Sequence, residues 1–334
     1  MPLARPDETD ENLPTELSRR AFFKRSVLVM AAGAVWAPVF AQNDPASAMK
    51  RRMNICLTPG SIGVSANQIE AIALAERHGF EAVEPFGGYL ASLTGQQMSD
   101  VVASLKAKRL VWGMAGLSVD FRQDEGRFKE GMKALPVVAA ALARAGVNRV
   151  GTWLMPCHES LTYLRNLRQH AQRLGEVARV LKDHGHRLGL EYVGTQTSRN
   201  SRKYPFIHTM AEMNDLISEM GTGNVGLVLD SWHWWQAGDK VDDLLALKNE
   251  QVVSVDLNDA PAGVAKEQQR DGQRELPCAT GIIDAAAFLK ALARIGYDGP
   301  VRAEPFNKAL NDLDNEAACA ATIKAMRKAF EVVG

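Results

Sequence analysis

The chain has 334 residues, 46% hydrophobic and 23% charged, a balance that supports a large buried core and argues against disorder. Lys+Arg and Asp+Glu both number 39, so the formal net charge is zero and the positive field needed to bind nucleic acid is missing. The four cysteines (Cys56, Cys157, Cys278, Cys319) are far apart with no C-x-x-C pair, which removes zinc knuckles and thioredoxin-like sites and leaves scattered core thiols as the simplest reading.

Ser18-Arg-Arg-Ala-Phe-Phe-Lys24 stands ahead of an apolar run from Ser26 to Phe40 that is short for a membrane span. Twin arginines in this position resemble the Tat export signal. Val39 and Ala41 suit cleavage after Ala41, giving an expected organisation of 1–41 leader, 42–52 linker and 53–334 globular domain. The resemblance implies export of an already folded, cofactor-loaded enzyme to the periplasm or another extracytoplasmic compartment, with the Tat machinery as a transient partner. The leader carries five basic and five acidic residues, so its removal leaves the remainder neutral.

From Met53 onward, β-rich runs at 53–58, 82–86, 111–118, 148–154, 187–193, 225–231, 252–257 and 301–305 alternate with amphipathic stretches such as 67–79, 127–145, 161–184 and 284–295. Glycines at 79, 146, 185, 221 and 296 sit where a helix must stop and turn back toward a strand. Eight such strand–helix units predict an α/β protein with one closed (β/α)8 TIM barrel. No G-x-G-x-x-G follows the first strand, which disfavours a doubly wound open sheet.

Barrel chemistry sits at the carboxyl ends of the strands. Strand five ends at Glu191, strand six at Asp230-Ser-Trp-His233, strand seven at Asp256-Leu-Asn-Asp259 and strand eight at Glu304. A lone carboxylate there is as readily a helix cap as a ligand. Glu191, Asp230, Asp256 and Glu304 together would repel one another, and a divalent cation is the usual remedy.

The stretches Leu229-Asp-Ser-Trp-His233, Asp256-Leu-Asn-Asp259, Arg274 to Asp284 and Gly296 to Phe306 resemble the xylose-isomerase-like sugar isomerases and epimerases, close to the D-tagatose 3-epimerase and AP-endonuclease-family-2 barrels. The resemblance spans about residues 53–330. It implies Glu191, Asp230 and Glu304 as ligands of Mn, Co, Mg or Zn, with Glu191 and Glu304 also as the acid/base pair, and His233 and Arg274 beside the substrate. One position departs: Asp256 stands where the family usually has histidine. All-oxygen donors favour Mn or Mg over zinc, and Asp256 is either a fourth ligand or a neighbour of the ligands.

Such a site abstracts a proton next to a carbonyl and stabilises an enediolate, which supports isomerisation or epimerisation of a small sugar or sugar derivative. A lyase or hydratase acting on an oxidised glycoside, and an inactive carbohydrate-binding barrel, are the alternatives. Trp153 and Trp232 are candidate walls for the sugar, in a tryptophan-rich stretch that includes Trp234 and Trp235. Adjacent Cys157 and His158 are a poor nucleophile pair, because neighbouring residues rarely face each other. A homo-oligomer is compatible with the sequence; DNA repair is disfavoured by the export signal, the neutral charge and the sparse histidines.

Overall fold

A computed structural model describes residues 51–334; the expected leader, and all of the linker before Arg51, lie outside them. The described strands are β1 (Asn54–Leu57), β2 (Ala82–Val83), β3 (Val111–Trp112), β4 (Ala115–Gly116), β5 (Arg149–Trp153), β6 (Cys157–His158), β7 (Arg187–Glu191), β8 (Tyr204–Pro205), β9 (Val225–Asp230), β10 (Val252–Leu257) and β11 (Pro300–Ala303). Nine of them form one parallel sheet in the order β3-β2-β1-β11-β10-β9-β7-β5-β4. Its two ends, β3 and β4, are separated only by Gly113 and Met114, so they are halves of one broken stave. That stave pairs with β2 on one side and with β5 on the other, and the sheet closes into an eight-staved barrel.

The break coincides with a close approach to another stave. A Cβ on Gly113 would lie 2.6 Å from Cys56 Sγ, so only glycine lets the chain pass this close to β1. The single run expected at 111–118 is two short strands, and the run expected at 82–86 pairs only over Ala82–Val83. The small antiparallel pair β6·β8 has no counterpart in the sequence reading.

Helices pack outside the staves, and their ends follow local chemistry. Gln68–His78 starts with a capping box between Asn67 and Glu70 and stops at Gly79 in the left-handed region. All five glycines expected to end helices have φ between 60° and 81°. Inside the barrel, Met114, Val228 and Val253 form a small apolar cluster, and Met114 and Val228 floor the cavity described below. All four cysteines are free.

His170 is buried beside the rings of Phe121 and Phe206, with Nδ1–H donated to the carbonyl of Asn166 at 2.9 Å. Burial lowers its pKa from 6.5 to about 4. An unfolded histidine takes up its proton near pH 6.5 whereas the folded one resists until about pH 4, so acidification across this window favours the unfolded chain. The penalty approaches about 3 kcal/mol below pH 4. In His170→Gln, the stability lost between pH 6.5 and 4, read from urea unfolding midpoints, should shrink by most of that amount; identical losses in the two proteins would contradict the assignment.

Candidate active site

The four expected acids lie at one level of the barrel because the staves are parallel and in register. Asp256 of β10 is paired with Asp230 at the end of β9 and with Arg302 of β11. Glu191 closes β7 and Glu304 directly follows β11. One carboxylate oxygen from each of Glu191, Asp230, Asp256 and Glu304 lies within 4.8 Å of the others. Glu191 and Glu304 face a cavity of about 480 Å³ whose wall also includes Met114, Trp153, His233 and Arg274.

Two arginines thread this acidic ring, Arg274 buried and Arg302 partly buried. Arg274 Nη1 donates to Asp230 Oδ2 at 2.7 Å and to Glu304 Oε2 at 3.3 Å, while Nη2 donates to Asp271 Oδ1 at 2.7 Å. Arg302 forks Asp256: Nε donates to Oδ1, and Nη2 to Oδ2 at 2.9 Å. Nη2 also reaches Glu304 Oε1 at 3.0 Å. Asp230 Oδ1 accepts from the Trp232 backbone N–H at 2.7 Å and from the Asn258 amide at 3.0 Å. Glu191 Oε1 is the exception, buried and without a hydrogen-bond partner.

His233 reaches the ring from the helix Ser231–Ala237, which starts on Asp230 as its cap. The Gly194 N–H points at Nδ1 at 3.3 Å and the Arg274 guanidinium at Nε2 at 3.2 Å, with Asp271 at 3.5 Å and Glu191 Oε1 at 3.6 Å from Nε2. Gly194 is needed for this approach, since a Cβ there would lie 2.5 Å from the His233 carbonyl oxygen.

Electrostatics follow burial first and neighbours second. Burial, then repulsion from Glu304, Asp256 and Asp230, raises the Glu191 carboxyl well above its ordinary range. Glu304 is raised by burial to about 7, although Arg302 pulls it down. Asp256 is raised by burial too, against the pull of Arg302. Burial keeps His233 neutral by lowering its pKa, whereas Arg302 and Arg274 stay cationic because the acids around them outweigh the cost of burial.

A sequence model described as "Xylose isomerase-like TIM barrel" matches residues 72–329. The chain belongs to this family. Among curated relatives, an inosose isomerase of Bacillus velezensis is 23% identical over 291 residues, covering 84% of this chain and 97% of its own. Among solved structures, a xylose isomerase domain protein from Alicyclobacillus acidocaldarius is 32% identical with a TM-score of 0.75, covering 84% of this chain and 99% of that one. The IOLI protein, whose structure holds a zinc atom, shares the fold at 21% identity and a TM-score of 0.69, covering 84% of this chain and 98% of that one.

Within this family member, Glu191, Asp230, His233, Asp256, Arg274 and Glu304 come together, and Trp153 lies on the cavity wall, 45% exposed. Trp232 does not. It is fully buried, with Nε1–H donated to Thr195 Oγ1, and it packs behind Arg274 rather than facing the cavity. One helical residue turns the chain by about 100°, which sends His233 to the mouth and Trp232 to the core. Trp234 is buried as well. Cys157 and His158 face apart: the thiol contacts the Ser198 carbonyl, and His158 Nδ1 accepts from the Ser160 and Leu161 N–H groups.

Several site residues were not singled out by the sequence reading. Arg302 was visible, because a period of two puts it on the same strand face as Glu304. Asp271 and Arg122 lie outside the strands, where no such pattern points to them. Arg122 sits between the rings of Phe121 and Trp153 and also lines the cavity.

Proposed function

We propose that the chain is a sugar isomerase or epimerase that moves a proton on a carbon next to a carbonyl, with Glu191 and Glu304 as the proton carriers. The observation that carries this reading is a pair of buried glutamates, both shifted upward, facing one cavity beside the Arg274 guanidinium. Burial brings Glu304 to about 7, close to where a general base works best at neutral pH, and raises Glu191 as well. Glu304 accepts the substrate proton, Arg274 faces the negative charge that develops on the enediolate oxygens, and Glu191 delivers a proton. Delivery to the same carbon from the other face gives an epimer; delivery to the neighbouring carbon gives an isomer. The relatives named above lend the lyase and the inactive-barrel readings no support, and the intact glutamate pair speaks against decay.

The donors fit one divalent cation, because Glu191 Oε1 is buried without a partner and lies among acidic oxygens. Glu191, Asp230 and Glu304 would hold it, and oxygen donors favour Mn²⁺ or Mg²⁺ ahead of Co²⁺ or Zn²⁺. When bound, it supplies Lewis-acid polarisation of the substrate carbonyl.

The inosose isomerase relative suggests a keto-cyclitol or ketose as substrate. Incubation of the Mn²⁺-supplemented protein with inososes and ketohexoses, followed by NMR, should show conversion of at least one. A sugar that binds in the cavity but is never converted would contradict the reading.

We also propose export through the Tat route, on the strength of Ser18 to Lys24. Changing Arg19 and Arg20 together to Lys should trap the precursor inside the cell. Normal accumulation of that double variant outside the cytoplasm would overturn the proposal.

A further inference from the structure

Four carboxylates around one divalent cation would leave two surplus negative charges, and the ring contains its own answer to that excess. Both oxygens of Asp256 are occupied by the Arg302 fork, and Asp256 has no exposed surface. The same guanidinium holds Glu304 Oε1 at 3.0 Å and lies inside the barrel, on the cavity wall. Glu191 has the opposite character, with one oxygen free. A guanidinium in a carboxylate fork stays charged and is geometrically fixed, so Asp256 and Arg302 form a closed pair rather than two independent groups.

We propose that Arg302 is a resident cation of the site, which withdraws Asp256 from metal coordination and limits the carboxylate ligands to Glu191, Asp230 and Glu304. The charge balance agrees. Arg302 cancels one negative charge of the ring, so a divalent ion meets one surplus charge fewer than it would without Arg302. Arg302 therefore moderates the affinity of the ring for a cation, and Asp256 is its counter-ion. This inference rests on the metal reading above, but its readout is the binding of Mn²⁺ alone, which does not depend on turnover or on the substrate.

The test is calorimetric titration of Mn²⁺ into wild type, Arg302→Met and the double variant Asp256→Asn with Arg302→Met. Arg302→Met removes a positive charge and releases Asp256, so Mn²⁺ should bind at least ~10-fold more tightly than in wild type. The single variant also leaves Asp256 buried without a partner. It should therefore melt lower than wild type when metal-free and gain more than wild type from added Mn²⁺. The double variant keeps the net charge of the ring and removes the pair as a unit, so its affinity should stay within about threefold of wild type. If Asp256 were a ligand, the double variant would bind about 10-fold or more weakly, at equal charge, and the proposal would be wrong. Arg302→Met binding Mn²⁺ no more tightly than wild type, including no binding by either, also overturns it. Should the single variant fail to fold, the double variant decides alone, because replacing both members of a buried ion pair is tolerated far better than removing one.

Discussion

Replacing either glutamate with its amide, Glu191→Gln or Glu304→Gln, is expected to lower turnover by at least ~10²-fold, the lower bound for a positioned general base or acid. The amide keeps the shape of the side chain and cannot take up a proton. The two losses should not multiply in the double variant, since a pair that passes one proton in sequence fails when either member is absent. Glu304→Gln should also leave the fold in place, because the Asn258 side chain accepts from its backbone N–H and the Arg274 guanidinium still has Asp230 and Asp271. Comparable melting temperatures beside a large loss of turnover would separate chemistry from structure. Turnover within a factor of about three of wild type in both single variants would remove the glutamates from the mechanism.

Arg274→Met is expected to have the largest effect on stability. Arg274 is 2% exposed and its guanidinium touches Asp230, Asp271 and Glu304, so its removal leaves Asp230 and Asp271 without their arginine and Glu304 with Arg302 alone. Breaking a buried ion pair by removing one partner costs about 3–5 kcal/mol. For a domain of this size that is a fall of roughly 10 °C in melting temperature. The sign with pH can be worked out. Without Arg274 the acids hold their protons to higher pH, so the folded variant binds more protons than the folded wild type, and the deficit should narrow as pH falls. Arg274→Lys keeps the charge but loses the fork, and should fall between the two. A melting temperature for Arg274→Met within about 2 °C of wild type at neutral pH would show that Arg274 does not balance the ring.

The barrel was legible in the sequence because its signals are local: apolar runs of strand length, amphipathic stretches of helix length, and glycines that end helices. The acids were legible for a related reason. Glu191, Asp230, Asp256 and Glu304 each stand in or just after an apolar strand, and strand ends in this fold share one rim. What escaped the reading depends on contacts between distant segments. The pairing of Arg302 with Asp256 joins residues 46 positions apart, and nothing near either one announces the other. The break at Gly113 lies where Cys56 of a different stave comes close. Trp232 was placed at the rim because it adjoins His233, whereas the helical turn between the two residues separates rim from core.

The most direct test of proton transfer is the fate of solvent hydrogen. Wild-type protein, supplied with Mn²⁺ and a converted keto sugar in D₂O, should place deuterium on the carbon next to the carbonyl, visible by NMR as loss of that proton signal. The exchange should fall at least ~10²-fold in Glu191→Gln and in Glu304→Gln. Product formed at the full wild-type rate without deuterium, with no loss on changing either glutamate, would contradict the account.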